Sequence, residues 1–256
     1  VTALPAPETF LSGEHGEVGG RRAGLRRAGD RLLDLAARPA LARVDRYETP
    51  VRDVLVAGIY RPPAGPPRIE SARHRVRARF AEMQPGRGKF ENLNDLVDAE
   101  CDWLVLIDDD IALPDRFLDR FVAVCERLRL DLAQPAQTLA SHAAWRVVRR
   151  RPLALARETR FVEIGPVTAF SRRAAERLLP FPALRYGWGL DLHWSAVAAE
   201  HGWRLGVVDA LPVRHESAPV GTAYSADAAI EEAQRFLADR PYLPSAAAGD
   251  VLAVHR

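Results

Sequence analysis

Residues 101–110 read C-D-W-L-V-L-I-D-D-D: an apolar run from Trp103 to Ile107, then three consecutive aspartates. An uninterrupted apolar run bounded by polar residues is the pattern of a strand buried on both faces, which places the carboxylates at the C-terminal end of a central parallel strand. Open α/β sheets bind ligands at that end. Adjacent like charges repel, and alternation along an extended chain puts Asp108 and Asp110 on one side and Asp109 on the other. A hard divalent cation, Mg²⁺ or Mn²⁺, relieves that repulsion and takes its ligands from carboxylates and substrate phosphates. The competing reading is a solvated acidic turn in front of the helix that opens near Pro114.

The 256 residues, 48% hydrophobic and 27% charged, suffice for one large α/β domain or two small ones. A formal net charge of +2, from 36 basic and 34 acidic residues, argues against nucleic-acid binding by bulk electrostatics. Cys101 and Cys125 fall in apolar patterns, so we expect neither a disulfide nor a zinc site, but two buried thiols in a reducing compartment. No apolar stretch approaches the roughly 18 residues of a membrane span, and the N-terminus lacks a signal-like apolar core. The expectation is a soluble, cytoplasmic protein. Lys89 is the only lysine and Asn92 and Asn94 the only asparagines, yet all three fall within six positions. A compact cation beside groups that both donate and accept predicts a recognition site.

Along the chain, residues 1–17 read as a loose tail. From Gly19 to Arg38, Leu25, Ala28, Leu32, Leu35 and Ala36 form a stripe between arginines, which predicts an amphipathic basic helix ended by Pro39. It either packs on its own domain or meets a dimer partner or an anionic membrane. Strands are predicted over 51–60, 74–83, 131–133, 161–170 and 204–209. Helices are predicted over 89–99, 114–129, 172–179, 190–200 and 226–237. The stretch through Arg157 has no assigned structure; its Arg146, Arg149, Arg150 and Arg151 form either a solvated face or a surface for an anionic acceptor or lipid head group. Three segments result: residues 1–50, tail and basic helix; 51–216, the catalytic domain; 217–256, a helical extension.

Strands alternating with helices imply a mainly parallel central sheet flanked by helices. The order of features resembles the glycosyltransferases of the GT-A fold. It runs from a first strand through K-x-x-N-x-N at a helix start, a strand ending D-D-D, a Gly165–Arg172 segment closing F-S-R, and an aspartate after G-W-G, to a late histidine. The G-W-G-L-D and G-V-V-D stretches with that histidine also look like a little-studied plant family of GT-A-like proteins. The resemblance covers roughly residues 51–216. It implies that Asp108 and Asp110 are the DxD pair, binding a divalent ion that bridges the donor's phosphates, and that His215 completes the metal shell. It places Lys89, Asn92, Asn94 and Asp109 on the nucleotide-sugar donor, Ala57 and Tyr60 beside the base, and Asp191 as general base toward an acceptor hydroxyl. Leu190 stands where the family has a second acidic residue, and the proline-rich 61–73 segment replaces a full first helix. Trp188 and Trp194 are read as core or as a platform under a sugar.

Three other readings compete. A nucleotidyltransferase carries a glycine-rich phosphate loop after its first strand, where this chain has R-P-P-A-G-P-P. A phosphatase using Asp108 as nucleophile wants a hydroxyl after the pair, where this chain has Ile111 and Ala112. A non-catalytic metal-dependent nucleotide- or sugar-binding module fits the same residues.

Overall fold

The computed structural model describes residues 20–141, 143–215 and 225–256; the predicted tail over 1–17 lies outside them. The elements are α1 (Gly20–Val44), β1 (Asp53–Tyr60), β2 (Arg75–Glu82), α2 (Lys89–Leu93), β3 (Trp103–Ile107), β4 (Ile111–Ala112), α3 (Phe117–Leu128) and β5 (Leu132–Gln137). After them come β6 (Ala156–Thr159), β7 (Val167–Ser171), α4 (Arg172–Leu178), α5 (Leu190–Glu200), β8 (Leu205–His215), α6 (Ala226–Leu237) and β9 (Val251–His255).

The fold is α/β. A nine-stranded mixed sheet runs in the order β2-β1-β3-β7-β5-β8-β6-β9, with β4 paired to β8. Along that path only β7 and β6 run against the common direction. The sheet is therefore less parallel in its pairing than the sequence suggested, because β7 enters between β3 and β5 from an irregular segment rather than through a crossover helix. β3 sits centrally, every residue from Trp103 to Ile107 buried. Its alternation divides the core: Leu104 and Leu106 join Leu55 and Ala57 on the side covered by α2, α4, α5 and α6. Trp103, Val105 and Ile107 join Val54 and Val56 on the side covered by α3 and α1. Both cysteines are free and buried.

Several boundaries differ from expectation, each for a local reason. α1 continues through Pro39 to Val44, and the predicted stripe is not its packed face: Ala23, Asp30 and Val44 are buried while Leu25, Leu32 and Leu35 are exposed. α1 docks through Ala37, Ala40, Leu41 and Val44 on the core and, beside them, through charge. Arg150, read as part of a solvated run, is buried and donates to Asp30 at 3.3 Å and Asp34 at 2.8 Å, while Asp30 also accepts from the amides of Leu139 and Ala140. Asp30→Ala leaves the buried Arg150 with Asp34 as its carboxylate partner and strips the Leu139 and Ala140 amides of their acceptor, so we expect a loss of roughly 1–3 kcal/mol in urea denaturation.

α2 stops at Leu93 instead of Ala99, since Asn94 turns its side chain across to Phe181. α3 starts after Arg116, whose left-handed backbone (φ 55°) breaks the turn begun at Pro114. Of the predicted 161–170 strand only the second half forms, as the start of β7 at Val167, while 161–166 is irregular; β6, ending at Thr159, falls at the end of the stretch with no predicted structure. β8 extends to His215 because β4 and β5 supply partners along its second half. The C-terminal segment is not wholly helical: β9 joins the sheet edge against β6, and α6 buries Ile230, Ala233, Phe236 and Leu237 in the common core.

Candidate functional site

The three aspartates occupy the turn between β3 and β4. β4 lies antiparallel to the end of β8 with Ile111 opposite His215, which carries that histidine back to the aspartates. His215 Nε2 lies 3.0 Å from Asp110 Oδ2. One ligand atom from each of Asp108, Asp110 and His215 falls within 4.8 Å of the others. Asp108 accepts from Lys89 Nζ at 2.5 Å. Asp109 has a different partner: its Oδ2 accepts from the Arg61 amide at 2.7 Å.

Two glycines allow this convergence. At Gly58 in β1 a Cβ would lie 2.3 Å from the Ile107 carbonyl oxygen, so only glycine lets β1 pass the end of β3 this closely. At Gly88 a Cβ would lie 2.3 Å from the Leu184 carbonyl oxygen and 2.4 Å from Arg185 Cα. Gly88 caps α2, with its amide donating to Glu91, and so sets Lys89 at the helix start beside Asp108.

Burial pushes the Asp108 carboxyl up; Lys89 opposes that shift and the neighbouring Asp110 adds to it. Burial alone would lower His215, but Asp110, Asp108 and Glu163 outweigh it and leave the imidazole raised. Two carboxylates and an imidazole held this close suit a divalent cation: each offers an oxygen or nitrogen ligand, and a cation removes the repulsion between Asp108 and Asp110.

Behind this triad lies a second carboxyl pair. Asp191, the second residue of α5, is buried, with the amides of Leu192 and Ile164 donating to it. Those amides favour the ionised form, but burial prevails and pushes its pKa up to about 7. Glu163, in the irregular segment between β6 and β7, is pushed up to about 8 by burial and then by the charge of Asp191, with His215 opposing. Glu163 therefore holds its proton more tightly and Asp191 ionises first. Asp191 is not the cap of α5, a role that falls to Gly189.

A string of buried polar side chains holds Glu163 and His215 in place. The Glu163 amide donates to Gln134 Oε1 at 2.5 Å, and Gln137 Nε2 donates to Glu163 Oε2 at 3.1 Å. Ser141 Oγ accepts from the His215 amide at 2.9 Å. Gln134 and Gln137 both reach Glu163, the first at its backbone amide and the second at its carboxyl group, because β5 slips register between Pro135 and Gln137; such irregularities re-aim side chains. The sequence carries one hint of this string, two glutamines inside an otherwise apolar strand.

Other expected contacts lie elsewhere. Asn92 is buried; its amide donates to Gly88 O at 2.8 Å and its oxygen accepts from the Gln84 amide at 3.1 Å, so it staples the loop before α2. Asn94 exchanges two 2.8 Å bonds with the backbone of Phe181. The clustering of Asn92 and Asn94 near Lys89 thus has a scaffolding cause, with Lys89 alone reaching the carboxylates. Ala57 is fully buried in mid-strand and belongs to the core, whereas Tyr60 stands half-buried at the end of β1. Trp194 packs edge-on against Phe90 and Phe170, and Trp188 is buried in the same cluster, so both are core and neither is a sugar platform. Among the described residues no helix is long and apolar enough to cross a membrane. No family model matches the chain, and no curated protein matches it.

Proposed function

We propose that the chain is a divalent-metal-dependent glycosyltransferase that moves a sugar from a nucleoside-diphosphate sugar to an acceptor hydroxyl. The observation that carries this reading is the convergence of Asp108, Asp110 and His215 at the end of the central strand, with Lys89 on Asp108. Asp108, Asp110 and His215 would hold Mn²⁺ or Mg²⁺, which offsets the negative charge gained by the departing diphosphate. Lys89 stands ready to transfer its ammonium from Asp108 to a phosphate oxygen, a charge-assisted bond of the same kind. Asp191, ionised while Glu163 keeps its proton, takes the proton of the acceptor hydroxyl as the new glycosidic bond forms. That buried carboxyl pair favours an enzyme over a binding module, since simple chelation has no use for a carboxylate whose pKa is set near neutrality.

Thermal denaturation in the presence of nucleoside diphosphates and nucleotide sugars, with and without Mn²⁺, tests the reading. A true donor raises the melting temperature only when metal is present. No stabilisation by any of them would sink it.

Lys89 has a distinctive expected behaviour. In Lys89→Ala, nucleoside diphosphate affinity should fall by about 1.5–3 kcal/mol. Mn²⁺ alone should bind at least as tightly as to the wild type, because the ammonium that competes for Asp108 is gone. Calorimetric titration of both ligands checks this, and wild-type nucleotide affinity in the variant would reject the assignment.

A further inference from the structure

We infer that the outward face of α1 docks the protein on an anionic lipid bilayer. α1 is apolar on two opposite sides. One side, with Ala23 and Val44, is buried against the domain. On the other, Leu25, Leu32 and Leu35 stand 75%, 68% and 50% exposed, three of the few large apolar side chains left in solvent. With Ala28 between them they follow the three- and four-residue spacing of a continuous helical stripe.

Arginines border the stripe. Arg27, Arg31 and Arg38 recur along one edge, where they line a cleft of about 600 Å³ between α1 and residues 112–115. None of the three is ion-paired among the described residues. Beyond the other edge, Leu153, 73% exposed, shares a shallow pocket with Ala36, Pro39, Arg43 and Arg151. An apolar stripe flanked by cations is the composition of a helix that lies in the plane of a membrane, its leucines among acyl chains and its arginines on anionic head groups.

Charge also decides against a second copy of the chain. Pairing two such stripes would bring arginine edges together, and the acidic residues of α1, Asp30 and Asp34, are already taken by Arg150. Like charges along a helix pair oppose association.

Vesicle flotation of the full chain tests the inference, using phosphatidylcholine vesicles with and without phosphatidylserine. The wild type should float only with the phosphatidylserine vesicles, and added salt should release it. The triple variants Leu25→Ser/Leu32→Ser/Leu35→Ser and Arg27→Gln/Arg31→Gln/Arg38→Gln should each lose about tenfold or more in vesicle affinity. All six side chains are exposed, so both variants should keep the wild-type melting curve. Three results would overturn the inference: a wild type that does not float, vesicle binding unchanged in both triples, or a lipid-free dimer that the leucine triple dissociates. The last would assign the face to a second copy.

Discussion

Asp191→Asn should leave the fold and donor binding intact while lowering the rate of sugar transfer by roughly 10²–10⁴-fold. Asparagine keeps the side-chain oxygen that accepts from the Leu192 amide at 2.9 Å, so the start of α5 survives, but it cannot take a proton. In the wild type the rate should rise with pH and level off above about 7, as Asp191 ionises. The asparagine variant should lose that limb.

Stability should move the opposite way. Both carboxyls have folded pKa values above their ordinary ones, so the folded state holds protons that the unfolded chain has already released. Their cost is absent below about pH 4, where both states are protonated, and grows to full size as pH passes the folded values. Asp191→Asn should therefore be more stable than wild type at pH 8, with a ceiling of roughly 4 kcal/mol for a shift from 3.8 to about 7, and should lose that advantage near pH 4. Single-turnover transfer and denaturation across that range measure both effects. Transfer within a few-fold of wild type would remove Asp191 as the base and leave Glu163, its neighbour at the site, as the next candidate.

Asp110→Asn should abolish Mn²⁺-dependent binding of nucleoside diphosphate. Asp110 is the member of the triad that faces His215, at 3.0 Å, whereas Asp108 is shared with Lys89. Replacing its carboxylate by a neutral amide removes one anionic ligand from a site with only two, and it also removes the charge that holds His215 in place. Asparagine preserves the volume and a hydrogen-bonding oxygen, so the β4–β8 pairing should persist. Calorimetry should show no heat of metal-dependent nucleotide binding against an unchanged melting curve. Wild-type affinity in this variant would mean that the three residues do not act together as a metal site.

What could be read from sequence was whatever depends on neighbours along the chain. The apolar run 103–107 has the pattern of a strand buried on both faces, which puts the polar residues after it, Asp108, Asp109 and Asp110, at one sheet end. The α/β class followed from the same local periodicities. Gly-Trp-Gly before Asp191 marked the start of α5, because left-handed turns need glycine.

The tertiary structure decided what depends on contacts between distant residues. The same stripe on α1 suits a packed face or an exposed one, and contacts with distant residues choose which side turns inward: the ion pairs of Asp30 and Asp34 with Arg150 and the packing of Ala37, Ala40, Leu41 and Val44 on the core. Asn92 and Asn94 have the donors and acceptors of a binding site, but the backbone groups that use them belong to Gly88, Gln84 and Phe181, the last 87 residues away from Asn94. His215 reaches Asp110 across 105 residues through the β4–β8 pairing. Glu163 and Asp191 become a coupled pair only when an irregular segment and a helix start are buried together. Burial and proximity of charge set a carboxyl's pKa, and neither is a property of the residues beside it in sequence.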